Sequence, residues 1–485
     1  MSGQAEALRY AVRFRVLTKF LGQLCLIIAV LTSVPMIVCL LYGDYRTAAA
    51  YLAVVGVLAG GGLIAGRLGW NGRIQTNEAV VLAATSFLVA PMAAVLPFML
   101  AGMSAVDAVF ETISGVTTTG LTMLSDVQAV SPSLIFARAW LQWYGGLGIV
   151  VFSLVLILRP GTVARDLADA EDIQDDLLGG VKAFASRALA AYVAITLLGT
   201  ILLLGFGVNP IAAILYALAA VSTGGFAPQN NSAAALGSWP AQTALMLICI
   251  AGSLPILFYI RLWRRVPVTR KYFGQAAGIM ISAITIGAIM VLDHALNRSG
   301  NLSKLAYHLP WLAFSAQTTS GFSTMPVSEL APASKIALMF AMSIGGGVGS
   351  TAGGIKIVRL MAVLRLAQLL IYRSQLAPHA VLPVRFAGRT LDTADIQKFL
   401  LLPLLFGAVV VVSWLLFALS GYPPLDSLFD VVSAVGTVGL STGVTGKELP
   451  AFLKFVLCGD MLLGRLEIIA WLVVLSPKTW IGRRL

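Results

Sequence analysis

The chain is a series of long apolar runs separated by short polar connections. A helix needs about 20 mainly apolar residues to cross the hydrocarbon layer of a bilayer. Glycines interrupt the eighth such run near its middle, so the pattern predicts a broken helix there. Together the runs predict about ten transmembrane helices, over 20–42, 47–66, 79–101, 134–158, 188–207, 240–262, 274–296, 334–364, 398–420 and 451–475.

The composition supports this interpretation and excludes a soluble protein. Of the 485 residues, 58% are hydrophobic and only 11% are charged, with a mean hydropathy of +0.90, whereas soluble domains carry about 25% charged residues. The four cysteines all lie in apolar runs, and the three histidines are not paired at the spacing of metal ligands. A disulfide framework and a histidine-zinc site are therefore not predicted.

The basic residues are distributed in a way that orients the chain. The net charge of +12 would be compatible with a nucleic-acid partner. However, if the N-terminus lies in the cytoplasm and ten spans alternate, 24 lysines and arginines fall in cytoplasmic stretches and six outside. Cytoplasmic loops of membrane proteins carry this excess. The pattern predicts that both termini are cytoplasmic, and it argues against nucleic acid because the charges flank helices.

Four outer connections share a Thr-x-Gly-apolar pattern, which we call the tetrad. In each connection a short apolar stretch precedes the tetrad and a full span follows it. The tetrad glycines are separated by 105, 96 and 118 residues, which indicates repeated structural units. The tetrads are Thr118-Thr119-Gly120-Leu121, Thr223-Gly224-Gly225-Phe226, Thr319-Ser320-Gly321-Phe322 and Thr437-Val438-Gly439-Leu440.

The tetrads have the character of a cation filter. Non-helical backbone at membrane depth must line water or be buried in protein. Glycine permits backbone angles that turn successive carbonyls the same way, and four such loops can replace the hydration shell of a cation. Close packing of small residues would explain any single tetrad. Four tetrads on one side of the membrane instead favour a pore.

The same residues resemble the TrkH/TrkG/KtrB superfamily of potassium transporters. SGVTTTGLT, STGGF, TTSGF and GTVGLST are similar to the four filter loops of that superfamily. RAWLQWYGGLGI and MLLGRLEI resemble its inner helices, and GGGVGSTAGGIK resembles its gating loop. Two additional N-terminal spans resemble the TrkH branch. The two glycines of the second tetrad depart from the potassium-channel pattern, which implies a less regular ring with weaker selectivity.

The resemblance implies an all-α polytopic membrane protein with four helix–pore loop–helix units around one pore. The expected divisions are residues 1–76 with two extra helices, and units at 77–158, 185–262, 274–365 and 397–475. Cytoplasmic linkers are expected at 160–185 and 366–396. Six acidic residues within 166–176 are either a solvated helix face or a docking face for a regulatory subunit.

The function implied is translocation of K+ across the bacterial inner membrane, by the pore subunit of a Trk-type uptake system that is not an enzyme. No covalently bound cofactor is expected. The implied partners are K+, membrane lipid, a second copy in a homodimer and a TrkA-like cytoplasmic nucleotide-binding subunit. K+ is expected at the backbone carbonyls of Thr118, Thr119, Thr223, Gly224, Thr319, Ser320, Thr437 and Val438. Gly120, Gly225, Gly321 and Gly439 complete the filter.

A gate and charged groups near the pore are also implied. The gate is expected to comprise Gly345, Gly346, Gly347, Gly349, Gly353, Gly354 and Lys356. Arg465 is expected to form a cationic barrier, or a structural ion pair with Asp460 or Glu467. Glu111 either hydrogen-bonds the filter backbone, as the resemblance implies, or concentrates cations, or lies at a solvated helix end. Three aspartates near the short helices either attract cations to the pore or lie at solvated helix ends. They are Asp107, Asp426 and Asp430.

Two alternative functions remain from the sequence. One is a sodium-coupled KtrB-like transporter or a less selective K+/Na+ pathway, and the coupling ion of any symport stays open. The other is a polytopic membrane enzyme such as a lipid-linked transferase. That class needs clustered acids or histidines in the outer loops, which the sequence does not offer.

Overall fold

The computed structural model describes residues 11–70, 72, 74–157, 180–268, 270–297, 302–375, 385–386, 389–390 and 393–481. The acidic stretch 166–176 lies outside them. Within these ranges the α-helices are α1 Phe14–Leu41, α2 Tyr45–Leu68, α3 Thr76–Leu100, α4 Ala105–Val116, α5 Pro132–Ile157, α6 Gly180–Gly205, α7 Pro210–Val221, α8 Trp239–Ser253, α9 Ile256–Trp263, α10 Arg270–Asn297, α11 Leu302–Gln317, α12 Pro332–Ile344, α13 Ile357–Ser374, α14 Thr393–Leu419, α15 Pro424–Val435, α16 Ala451–Arg465, α17 Ile469–Leu475 and α18 Pro477–Trp480. Two 3-10 helices, Ser232–Leu236 and Val327–Glu329, and one antiparallel pair of two-residue strands, β1 Arg385–Phe386 and β2 Arg389–Thr390, complete the described elements.

The helices are those of a multi-pass membrane protein. Among the described residues, seven helices are long and apolar enough to cross a bilayer: α1, α2, α3, α5, α6, α10 and α14. The pair α8 and α9, bent by 92°, makes an eighth candidate span. The remaining two apolar runs, 334–364 and 451–475, fold as the helix pairs α12–α13 and α16–α17.

Three of the ten predicted runs therefore fold as broken helices, and the sequence predicted only one of these breaks. The glycine-rich residues 345–356 separate α12 from α13, as expected. The break between α8 and α9 falls at Pro255, which has no N–H to continue the α8 hydrogen bonds. The break between α16 and α17 contains two non-glycine residues with positive φ, Glu467 at 59° and Ile468 at 55°.

After the α1–α2 hairpin, an outer helix, a short helix and an inner helix recur four times. We call these sets units 1 to 4, with the short helices α4, α7, α11 and α15. Local sequence explains where two of the short helices begin. The Ser104 hydroxyl accepts the N–H of Asp107 at the start of α4, and the Asn209 side chain accepts the N–H of Ile211 at the start of α7.

The four units close into a ring. Each inner helix packs against the short helix of the next unit, so α5 contacts α7, α8 contacts α11, and α12 contacts α15. The inner helix α16 of unit 4 contacts α4 of unit 1. This last contact completes the ring, in which the short helices alternate with inner helices.

Ion pairs join two of these interfaces. Lys335 of α12 lies 2.7 Å from Asp426 of α15, and Lys454 of α16 lies 2.6 Å from Asp107 of α4. The side chains of Lys454 and Asp107 are 7% and 11% exposed, whereas that of Asp426 is 33% exposed. Each aspartate thus forms an ion pair with a lysine of the neighbouring unit. Neither is therefore an unpaired carboxylate that attracts cations, nor a solvated residue at a helix end.

Removing Lys454 tests whether this pair holds the ring closed. Lys454→Met leaves the Asp107 carboxylate buried without its partner, which costs about 3–5 kcal/mol for a buried pair. We expect a marked drop in the thermal unfolding midpoint of the protein in detergent. Adding Asp107→Asn to the same chain should recover most of the loss. Lys335→Met should cost less, because Asp426 is more exposed. Equal losses for both lysine variants would contradict this account.

Candidate functional site

The four tetrads share one backbone conformation. Their first threonines have φ values of 52°, 51°, 54° and 49°, and the glycines two residues later have φ values of 91°, 83°, 69° and 95°. The residue between them is not in the positive-φ region. A β-branched residue in the left-handed region costs about 1–3 kcal/mol, and such strain concentrates at functional sites. The threonines are Thr118, Thr223, Thr319 and Thr437.

The backbone hydrogen bonds that end each short helix are also the same. The N–H of Thr118 donates to the Gly115 carbonyl, and the N–H of Thr119 donates to the Ser114 carbonyl, both at 2.9 Å. The other three units repeat both bonds at the same spacings. This pattern is the Schellman helix end, in which the left-handed residue is ordinarily glycine. The negative ends of four helix dipoles therefore converge on the tetrads.

The tetrads touch one another in cyclic order. A β-carbon on Gly120 would overlap the carbonyl oxygen of Gly224, and the same relation holds between each later tetrad and its successor. The contacts are Gly225 with Ser320, Gly321 with Val438, and Gly439 with Thr119. Positive φ and this close approach together require glycine at the third tetrad position. The result is a closed ring with one tetrad from each unit.

The ring presents buried carbonyl oxygens. The eight carbonyls belong to the first two residues of each tetrad, all of which are buried. Across the described ranges, a protein donor bonds to just one of these oxygens, that of Gly224, which accepts from Gln142 Nε2 at 2.5 Å. The other seven are those of Thr118, Thr119, Thr223, Thr319, Ser320, Thr437 and Val438. Buried carbonyls need a partner, and these suit a cation or water.

Serines of the short helices hold three of the tetrads from behind. The Ser114 hydroxyl donates to the Leu121 carbonyl at 2.6 Å, and the Ser315 hydroxyl donates to the Phe322 carbonyl at 2.6 Å. Ser433 accepts the N–H of Gly439 at 3.0 Å. Each serine lies four residues before the first threonine of its tetrad. The second unit has an alanine at this position.

Two carboxylates order the chain immediately after the tetrads. Glu111 accepts the N–H of Met123 at 2.9 Å, and Asp430 accepts the N–H of Thr442 at 2.8 Å. Both acids lie seven residues before the first threonine of their tetrad. Each bonds to a residue two positions beyond the tetrad, so Glu111 contacts backbone adjacent to the ring. Asp430 makes further hydrogen bonds to this loop, so it is not a solvated helix end.

Arg138 is a site residue to which the sequence analysis assigned no role. Its Nε donates to Glu111 at 2.6 Å, and its guanidinium carbon lies 4.0 Å from the ring centroid of Phe226. Arg138 therefore connects the carboxylate of unit 1 with the last residue of the second tetrad. It is 2% exposed. A cation inside an apolar span is the signal that points to such a role.

The glycine-rich loop lies directly against the threonine side of the ring. The N–H of Gly353 donates to Thr319 Oγ1 at 2.8 Å, and Thr351 Oγ1 lies 3.4 Å from Thr223 Oγ1. Gly353 also contacts the hydroxyl of Thr437. The loop thus meets the first threonine of three tetrads.

Backbone contacts fasten the rest of this loop to neighbouring helix ends. The Gly345 carbonyl accepts from Gln317 Nε2 at 2.7 Å, and the Gly346 carbonyl accepts the N–H of Ile357 at 3.0 Å. Further bonds of this kind involve Gly347 with Ser253 and Gly349 with Ile256. Gly354 contacts Gly345 across the loop.

Two buried cations bind carbonyls of the loop. Arg465 Nη1 donates to the Thr351 carbonyl at 2.8 Å, and Lys356 Nζ donates to the Ala352 carbonyl. The alternative of an ion pair between Arg465 and Asp460 or Glu467 is not found in the structure. Asp460 accepts instead from the Ser413 hydroxyl, and Glu467 pairs with Arg359 at 2.5 Å.

Helix geometry explains that difference. Asp460 precedes Arg465 by five positions, a spacing that places the two side chains on different faces of α16. Glu467 follows the end of α16, within a turn of positive φ, where helical spacing no longer applies. The remaining guanidinium nitrogens Nε and Nη2 of Arg465 are buried without a hydrogen-bond partner in the described chain.

The outer loops of units 1 and 2 are joined above the ring. Asn230 Nδ2 donates to Asp126 at 2.8 Å, and the N–H of Val127 donates to Asn230 Oδ1 at 2.7 Å. The Asn230 amide, together with the N–H of Gln128, holds the pKa of the Asp126 carboxyl below its usual value. Asp126 therefore stays negatively charged at neutral pH.

Comparison with known proteins gives consistent results. A family model described as TrkH, cation transport protein, matches residues 54–281 and 272–480. The chain is 29% identical over 460 residues to an uncharacterized cation transporter of Methanocaldococcus jannaschii, covering 94% of each chain. It is 28% identical to the Trk system potassium uptake protein TrkI of Halomonas elongata, covering 96% of this chain and 97% of that protein.

Similar relations hold for a further relative and for a solved structure. The chain is 25% identical to the Trk system potassium uptake protein TrkH of Escherichia coli, covering 96% of this chain and 99% of that protein. The fold matches the crystal structure of the potassium transporter TrkH from Vibrio parahaemolyticus with a TM-score of 0.85 and 22% identity. That match covers 97% of this chain and 100% of the other.

Proposed function

The chain belongs to the TrkH family of cation transport proteins, and we propose that it moves K+ through the ring of four tetrads. Family membership makes it a multi-pass membrane transporter and not an enzyme. Potassium is the ion because relatives that align over nearly the whole chain are named potassium uptake proteins. The ring is then the selectivity filter.

The observation that carries this proposal is the closed ring of buried carbonyls. Four tetrads contribute two carbonyls each, and seven of the eight have no protein donor in the described chain. Carbonyl oxygens arranged in this way replace the hydration shell of a permeating K+. The converging negative helix ends add favourable potential for a cation. The strained threonines supply the geometry, and their cost is sustained by the surrounding hydrogen bonds.

The glycine-rich loop is the gate in this proposal. It lies beneath the filter, and Arg465 and Lys356 bind its carbonyls. Both cations also oppose the entry of K+ at this level, because like charges repel strongly where water is scarce. Conduction requires the loop to leave its contacts with Thr223 and Thr319.

The wider assembly follows from the same assignment. The protein resides in the cell inner membrane with both termini in the cytoplasm, as the excess of basic residues in those stretches supports. It works as a homodimer with a TrkA-like nucleotide-binding subunit, within a Trk-type uptake system like those named for its relatives. Transport is either channel-like or coupled to H+ or Na+.

A second candidate is a pathway that carries both K+ and Na+, or a sodium-coupled transporter of the KtrB kind. The irregular second tetrad favours weaker selectivity, since its Gly224 carbonyl already accepts a hydrogen bond. Measuring uptake of K+ and Na+ into liposomes that contain the purified protein distinguishes these possibilities. We expect K+ flux without any other substrate, and restored growth of a strain lacking its own potassium uptake systems. Absence of K+ flux from folded protein would refute the assignment.

Gly439→Ser tests the filter. The β-carbon would overlap the Thr119 carbonyl oxygen, so the fourth tetrad must move away from the ring. We expect selectivity for K+ over Na+ and apparent K+ affinity to fall, each by about tenfold, which corresponds to 1.4 kcal/mol. Gly443→Ser is the matched control, because Gly443 has a similar φ of 98° but open space around it. If both variants behave alike, backbone strain and not the ring contact is responsible.

Arg465→Met tests the gate. The variant loses the hydrogen bond to the Thr351 carbonyl and the positive charge beneath the filter. We expect the maximal K+ flux per folded protein to rise by about tenfold, since 1.4 kcal/mol at a barrier is tenfold in rate. Apparent K+ affinity should change little. Unchanged or reduced flux through well-folded protein would remove Arg465 from the barrier.

Variants of Thr351 separate release of the loop from loss of charge. Thr351→Val keeps the shape of the side chain but loses its hydrogen bonds to the carbonyls of Val221 and Gly252 at 3.0 and 2.9 Å. Thr351→Ser keeps a hydroxyl there. If the loop is the gate, the valine variant conducts faster in the absence of a regulatory subunit and the serine variant does not. Equal fluxes would contradict a gate at this loop.

A further inference from the structure

The second tetrad lacks two features that support the other three. Its short helix has Ala219 where the other units have serine, so no hydroxyl holds the loop from behind. Its second residue is Gly224, where the other tetrads have Thr119, Ser320 and Val438. Unaided, this loop would be the least constrained part of the ring.

Gln142 of α5 contacts this loop from the neighbouring unit. Its Nε2 donates to the Gly224 carbonyl at 2.5 Å, and its Oε1 accepts the N–H of Phe226 at 3.0 Å. The side chain is fully buried. One carboxamide thus binds both an N–H and a carbonyl of the tetrad. In unit 1 the Ser114 hydroxyl does the same, because it accepts the N–H of Gly120 and donates to the Leu121 carbonyl.

Gly224 is required by space and not by backbone conformation. Its φ is not positive, so a larger residue could adopt the same backbone angles. A β-carbon there, however, would overlap the carboxamide carbon of Gln142 and lie 2.8 Å from its Nε2. The absence of a side chain at Gly224 therefore leaves the space that the Gln142 carboxamide occupies.

We infer that Gln142 is a positioning residue that holds the second filter loop, and that residue 224 is glycine to make room for it. This inference rests on the proposed function of the ring as a filter. Because the Gly224 carbonyl accepts this hydrogen bond, it is a weaker ligand for K+ than the seven others. Gln142 thereby determines both the position and the strength of one ligand.

The first test replaces the amide without changing its bulk. Gln142→Met keeps the length of the side chain but loses both hydrogen bonds. We expect the ratio of K+ to Na+ uptake to fall by about three- to tenfold, the scale of one net hydrogen bond. The matched control is Gln242→Met, the same substitution at a buried position of α8, where selectivity should stay at the wild-type value.

The second test exchanges the whole arrangement. Gly224→Ser alone should reduce selectivity, because the serine meets Gln142. The triple variant Gln142→Cys, Ala219→Ser and Gly224→Ser copies the residues found around the third tetrad. There Ser315 holds the loop, and the Cys249 thiol faces Ser320. The combined variant should regain most of the lost selectivity.

The outcomes are decisive in either direction. Wild-type selectivity in Gln142→Met, or an equal loss in Gln242→Met, would overturn the inference. So would a combined variant no better than Gly224→Ser alone. If Gly224→Ser does not fold, the Gln142→Met result decides by itself. Selective wild-type protein with a defective Gly439→Ser variant would leave the proposed filter intact even if Gln142 proves irrelevant, whereas wild-type protein without K+ flux would overturn both.

Discussion

The structure depends on keeping buried backbone carbonyls without protein donors at the centre of a membrane protein. Such groups are costly to bury, and the chain surrounds them with hydrogen bonds that hold the tetrads and the residues that follow them. Ser114, Ser315 and Ser433 hold the tetrads from the short helices. Glu111 and Asp430 hold the residues that follow. The ring oxygens remain available because their neighbours are satisfied.

The repeated backbone of the ring is joined by different side chains at different interfaces. Units 3 and 4, and units 4 and 1, are joined by the ion pairs of Lys335 with Asp426 and Lys454 with Asp107. Units 1 and 2 are instead joined by Arg138 and Gln142. A buried charge is stable only when paired and hydrogen-bonded. The differing solutions show that ring closure and not any one pairing is what the fold must satisfy.

The loop beneath the ring is attached by hydrogen bonds from several elements. Its backbone binds hydroxyls of the tetrad threonines and the side chains of Arg465 and Lys356. Glu467 neutralises the nearby Arg359 and not Arg465. Arg465 therefore remains the cation of α16 that faces the loop.

Periodicity and local motif were enough for the class of the protein, the tetrads and the broken helix at 345–356. These features depend on residues close together in sequence, and the repetition of Thr-x-Gly made them visible. The partners of Arg465, the breaks at Pro255 and Glu467, and the role of Gln142 came only from the tertiary structure. Gln142 lies 82 residues from Gly224, and Arg465 lies 114 residues from Thr351. Hydrophobic period specifies which face of a helix is buried, but not which residue of a distant unit it meets, and that choice is made by the closing of the ring.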